Sequence, residues 1–213
     1  HKPLNSSYKS SMKINKKFKK THQINCMDRY MLHLKNNSNY DRKMANSILL
    51  KSRDLAYGMN LILRDCRISK KYVELDTSVP QAFLDELVQK LSTIAPLDHA
   101  KHVIEETFEK EDAVSQGISY FNNERFWECH EVLEGVWKTI DGEEKKLVNG
   151  LILVAAGLVH YQKDEDNICI SIFNRALEKL QNSSGMYHEI DIDRVKSLVI
   201  DMIKTKKIST FEI

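Results

Sequence analysis

The sequence predicts an α+β protein whose two halves follow different rhythms. Residues 29–104 alternate strand-like and helix-like segments, whereas beyond residue 105 only helical periodicity is left. The stretch from Leu147 to Tyr161 is apolar nearly all round, as the central helix of a bundle is.

In the first half, Arg-Tyr-Met-Leu-His-Leu at 29–34 reads as a strand. Residues 44–57 then place Ile48, Leu49, Leu55 and Ala56 on one helical face, and Gly58 terminates them. Two strands follow, Leu61–Asp65 and Lys71–Thr77, with Arg67–Lys70 as a hairpin-length connection. The second of these alternates, setting Val73, Leu75 and Thr77 against Tyr72, Glu74 and Asp76. Pro80 opens a helix through Phe83, Leu84, Leu87, Val88 and Leu91, because its fixed φ and missing N–H suit a first turn. A weakly patterned extended piece spans Leu97–Val103. The order β-α-β-β-α-β predicts a ferredoxin-like sandwich, a fold that hosts many unrelated functions.

In the second half five helices are legible, at about 108–121, 124–139, 143–163, 166–182 and 191–205. Asp141-Gly142, Asp164 with Asp166, and Ser183-Ser184-Gly185 punctuate them. The expected organisation is a disordered basic tail over 1–26, a ferredoxin-like domain over 27–105 and a helical-bundle domain over 106–213.

Composition narrows the function classes. With 42% hydrophobic and 29% charged residues in 213, the chain is globular in character. Its longest apolar run is broken by Asn149, Gly150 and His160 and is shorter than the roughly 20 residues that span a bilayer. Cys26, Cys66, Cys129 and Cys169 stand far apart without a CxxC pair, which fits reduced thiols in a cytoplasm. The formal charge of +2 conceals a split, because residues 1–26 hold seven lysines and no acid. Lys9, Lys13, Lys16, Lys17, Lys19 and Lys20 offer nucleic acid a contact, although a solvated extension is the simpler reading. Met27 stands just before the first ordered-looking element and is a plausible start. No Walker loop, GxGxxG or GxSxG occurs, and the sheet segments lack the aromatic signature of an RNA-recognition motif.

The chemistry concentrates in Arg-Phe-Trp-Glu-Cys-His-Glu-Val-Leu-Glu-Gly-Val-Trp, residues 125–137. With Phe126 as origin and 100° per residue, Leu133 falls at about 340°, Trp137 at about 20°, His130 at about 40° and Glu134 at about 80°. Phe126, Leu133 and Trp137 read as core. His130 and Glu134 lie on or at the edge of the buried stripe and need a partner, since an unpartnered buried polar group costs about 1–3 kcal/mol. Their i, i+4 spacing lets them meet each other or share an ion. On the following helix Asn149, Leu153, Ala156, Gly157 and His160 share a face, and Ala156 with Gly157 permits close approach. If that face meets the stripe, His130, Glu134 and His160 converge as a divalent-metal site, with Glu128 or Glu131 as a further carboxylate. Glu128 is the weaker candidate, because at about 200° it points away from the stripe. Trp127 is either a wall of a ligand pocket or a boundary residue, and Arg175 an anion contact or a solvated arginine. Cys129 and His130 are neighbours pointing about 100° apart, so they form no nucleophile–base pair.

Phe121-Asn122, the run Phe126 to Trp137, and Gly150-Leu151-Ile152 through Ala155-Ala156 to His160 together resemble the signature of the family called domain of unknown function 309, over about residues 112–182. The resemblance implies a compact helical domain and marks His130, Glu131, Glu134, Trp137 and His160 without giving them roles. The upstream α/β segment resembles an N-terminal extension of archaeal-type members. Gly117, Tyr120, Cys129 and Leu133 also approximate one tetratricopeptide-like hairpin, where a solenoid needs about three. The sequence therefore predicts a cytoplasmic binding or interaction module, with a protein partner or a second copy of itself, in which His130 and Glu134 form a structural polar network. The rival readings are a metal-assisted hydrolase or small-ligand enzyme using His130, Glu134 and His160, and nucleic-acid binding through the tail.

Overall fold

The computed structural model describes residues 27–104 and 108–213. The basic tail, with its expected disorder and nucleic-acid contacts, lies outside the described residues.

Strand β1 (Asp28–Lys35) leads through a 3₁₀ turn into α1 (Ala45–Leu55), followed by β2 (Ile62–Ile68), β3 (Tyr72–Val79), α2 (Leu84–Leu91) and β4 (Leu97–His102). These strands form one antiparallel sheet in the order β2-β3-β1-β4, with Leu32 opposite Leu75 and Ala100. β2 runs three residues beyond the expected Asp65, because Cys66, Arg67 and Ile68 pair with Leu75, Glu74 and Val73 and leave only a short turn. Period-two alternation sends Tyr30, Leu32, Leu34, Val73 and Leu75 to one face, where Ile48 and Leu49 of α1 and Leu87 and Leu91 of α2 complete a hydrophobic cluster. The alternate residues Met31, His33, Glu74 and Asp76 are buried as well, so the second face is also covered.

What covers it comes from the helical half: α3 (Lys110–Asn122), α4 (Phe126–Thr139), α5 (Gly142–Tyr161), α6 (Asp166–Leu180) and α7 (Ile192–Thr205). The five expected helices are present, and a hairpin of β5 (Met186–Tyr187) and β6 (Ile190–Asp191) precedes α7 where the sequence suggested only punctuation. Asp191 caps α7 by accepting the Arg194 N–H at 3.0 Å. α5 is the bundle's central member, with Val148, Val154, Ala155 and Leu158 buried. Its small residues open toward α6: a Cβ on Gly157 would lie 2.6 Å from Phe173 Cε1, and one on Gly150 2.5 Å from Leu180 Cγ. Gly117 plays the same part between α3 and Leu133 of α4. Among the described residues no helix is long and apolar enough to cross a membrane.

The two hydrophobic clusters are separate, and polar contacts join the segments that carry them. Arg42, in the turn before α1, reaches Asp166 at the start of α6 at 2.6 Å and lies over the Tyr161 ring. Ile68 N–H donates to the Gln162 carbonyl, and Lys70 N–H to Glu124.

Candidate functional site

Helix α4 works on more than one side. Phe126, Cys129, Leu133 and Val136 fill the bundle core, and Trp137 packs at its edge with Lys145 over the indole. Glu128, which the helical wheel directs away from the bundle, is only 2% exposed, because that side of the helix meets the sheet rather than solvent. There it enters a charged cluster. His33 Nε2 of β1 lies 3.2 Å from Glu128 Oε2 and 3.4 Å from Glu74 Oε1. Arg125 binds Glu128 through two guanidinium nitrogens, and Arg67 Nε donates to Glu74 Oε2 at 3.0 Å. His99 of β4 stacks on His33 with centroids 4.2 Å apart, and Tyr72 meets both rings edge-on. The Trp127 indole sits under the guanidinium groups of Arg29 and Arg67.

This arrangement sets protonation. Burial alone lowers the affinity of His33 for a proton, yet Glu128 and Glu74 outweigh it and raise its pKa from 6.5 to about 9. Burial likewise opposes ionisation of Glu128, but His33 and Arg125 hold it down at about 2. His99 is lowered, first by burial and then by the nearby charges of His33 and Arg125, against its bond to Asp98. At neutral pH His33 is therefore a buried cation between two carboxylates, and His99 is a neutral imidazole.

Beside this cluster a cleft of about 500 Å³ opens between the end of β4, α3 and α4. Trp127, Glu131 and Glu134 line its α4 wall, Tyr120 and Gln116 come from α3, and Ile104 and Phe108 add apolar surface. Lys101 enters from β4 and donates to the Tyr120 hydroxyl at 3.1 Å.

The predicted site residues are placed as follows. His130, Glu131 and Glu134 gather on α4, each offering a ligand atom within 4.8 Å of the others. All three are accessible: His130 Nδ1 stands 3.2 Å from Glu131 Oε1, and Glu134 lies 3.8 Å from Lys138. His160 is not brought to them. The small face of α5 that was to approach α4 closes on α6 instead, and His160, near the end of α5, pairs with Glu165 at 2.5 Å. Trp127 reaches the cleft, whereas Trp137 does not line it. Arg175 is exposed. The residues that sequence reasoning passed over are His33, Glu74, Arg67, His99 and Arg125. For His33 and Glu74 the signal was the polar alternation of β1 and β3, which normally marks a solvated face.

With this geometry in place, comparison with known proteins places the helical half. Residues 114–172 match the family described as Domain of unknown function (DUF309), as the motif implied. An uncharacterized protein from Aquifex aeolicus (strain VF5) is 27% identical over 89 residues, which are 41% of this chain. The aligned part spans 27% of that relative's own length.

Proposed function

We propose that the chain is a binding module of the cytoplasm, in which a ferredoxin-like domain at 27–105 and a helical-bundle domain at 106–213 form a ligand cleft where β4 meets α3 and α4. The strand order β2-β3-β1-β4 within a βαββαβ unit supports the first assignment, and the separate hydrophobic cluster supports the second. Three buried thiols without disulfides, Cys66, Cys129 and Cys169, suit a reducing compartment.

One observation carries the reading. Trp127, Glu131 and Glu134, all from the family motif, line the same cleft, whose volume falls within the roughly 300–1,000 Å³ of small-molecule sites. Apolar surface from Phe108, Val132 and Val136 beside two accessible carboxylates favours a ligand with an apolar body and a basic group. His130 and Glu134 then belong to the edge and wall of the site instead of a buried network. Phenethylammonium, followed by chemical-shift perturbation of the full chain, tests this. It should bind saturably, displace the Trp127 indole resonance, and lose its affinity in Glu131→Gln/Glu134→Gln. Phenylacetate binding equally well would contradict the reading.

A second reading keeps a metal on α4. The proximity of His130, Glu131 and Glu134 favours it, with Glu131 in the place first given to His160.

A further inference from the structure

We propose a second site, independent of the cleft ligand: a divalent transition-metal ion bound between sheet and helical half by His33, His99 and Glu128, with Glu74 as a fourth group. Each of the first three residues offers a ligand atom within 4.8 Å of the other two, His33 doing so on release of its proton to solvent as the ion enters. Tetrahedral ligands about 2.1 Å from zinc stand about 3.4 Å apart, so binding requires a contraction of about 1.4 Å at most. Binding also requires the stacked His33 and His99 rings to turn out of their parallel arrangement, so that both in-plane lone pairs point at the ion.

The hydrogen bonds point the same way. Two ring nitrogens in this cluster, His33 Nδ1 and His99 Nε2, are buried without a hydrogen-bond partner. His33 itself is 0% exposed, so the unmet nitrogen is cut off from bulk solvent. An orphaned buried polar atom costs about 1–3 kcal/mol, a cost that an ion bound to His99 Nε2 would remove. His99 is also prepared for the role. Its Nδ1 lies 2.8 Å from Asp98 Oδ2, which keeps the proton on Nδ1 and leaves the lone pair on the buried Nε2. That carboxylate–imidazole relation is what holds metal-ligating histidines in their tautomer and orientation.

The donor set selects the ion. Two imidazoles and a carboxylate suit zinc, cobalt or nickel, whereas magnesium and calcium prefer oxygen ligands. Two cations oppose entry: Arg125 holds Glu128, and Arg67 holds Glu74. Both carboxylates retain oxygen capacity beyond one guanidinium, since each carboxylate has about four lone-pair positions. The arginines therefore tune the affinity without closing the site.

The experiment uses the full chain stripped with a chelator and titrated with Co²⁺, read by visible d–d absorption, and with Zn²⁺, read by calorimetry. His99→Gln is the informative variant, because His99 is half-exposed and leaves the buried His33–Glu128 pair in place. His130→Gln and Glu134→Gln, at the competing group on α4, serve as comparators. The expected result is one ion per chain in the wild type, affinity lower by about tenfold or more in His99→Gln, and no change in the two comparators. Absence of saturable binding would overturn the proposal, as would equal binding by His99→Gln and the wild type. Loss confined to the α4 variants would instead assign the ion to the second reading of the cleft wall.

Discussion

Replacing Glu128 by Gln removes one charge from a side chain that is 2% exposed and keeps its shape. His33 then remains a buried cation with Glu74 alone, and Arg125 loses its ionic partner. The lowering of Glu128 from 4.5 to about 2 corresponds to about 3 kcal/mol of interaction favouring the ionised form. Removing one member of a buried pair costs about 3–5 kcal/mol, and the amide still accepts a hydrogen bond, so the expected loss is about 3 kcal/mol. For a chain of this size that lowers Tm by about 6–12 °C. Urea denaturation at pH 6 in metal-free buffer measures it, with Glu134→Gln as a reference that changes stability by less than about 0.5 kcal/mol. A Glu128→Gln protein within about 0.5 kcal/mol of the wild type would refute the reasoning, because the charged cluster would then contribute nothing to folding.

Stability should also fall on the alkaline side. His33 has a folded pKa raised from 6.5 to about 9, so its contribution is complete below 6.5 and is lost as pH rises through 9; Glu128, lowered to about 2, contributes above 4.5 and is lost as pH falls through 2. Denaturation midpoints across pH 5–9.5 should show the alkaline decline in the wild type and a weaker one in Glu128→Gln. Gly157→Ala should destabilise by about 1–2 kcal/mol by forcing Phe173 aside. Gly135→Ala, where a Cβ meets nothing within 4 Å on an exposed helical position, should stabilise by about 0.5–1 kcal/mol; both are read by thermal melts. Burial pushes the Cys66 and Cys169 thiols up to about 12 and raises Cys129 as well. A thiol reagent should thus label at most one of the four cysteines quickly before urea is added.

Element order was legible because each segment announces itself locally. Val73 and Leu75 alternate with Glu74 and Asp76, Leu147 to Tyr161 is apolar nearly all round, and Gly58 and Asp141-Gly142 mark ends. The extension of β2 to Ile68 was missed because Arg67 reads as turn chemistry until Glu74 is placed opposite it. The site was half legible. Trp127, Glu131 and Glu134 were identified from the motif, and they do share a cleft. Glu128 ranked as the weaker carboxylate because the wheel was referred to a single core, whereas α4 lies between the bundle and a sheet. Nothing local tells that His33, 95 residues earlier, waits on the other side. His160 failed as a ligand for a related reason: Gly150 and Gly157 announce close packing, but not which neighbour comes close, and it is α6.

An NMR titration of the His33 imidazole tests most directly the claim that the motif helix brings its carboxylate into the polar face of the sheet. The account predicts a midpoint at about 9 in metal-free wild type, with a downward shift in Glu128→Gln. A wild-type midpoint near the ordinary 6.5, unchanged in the variant, would contradict it.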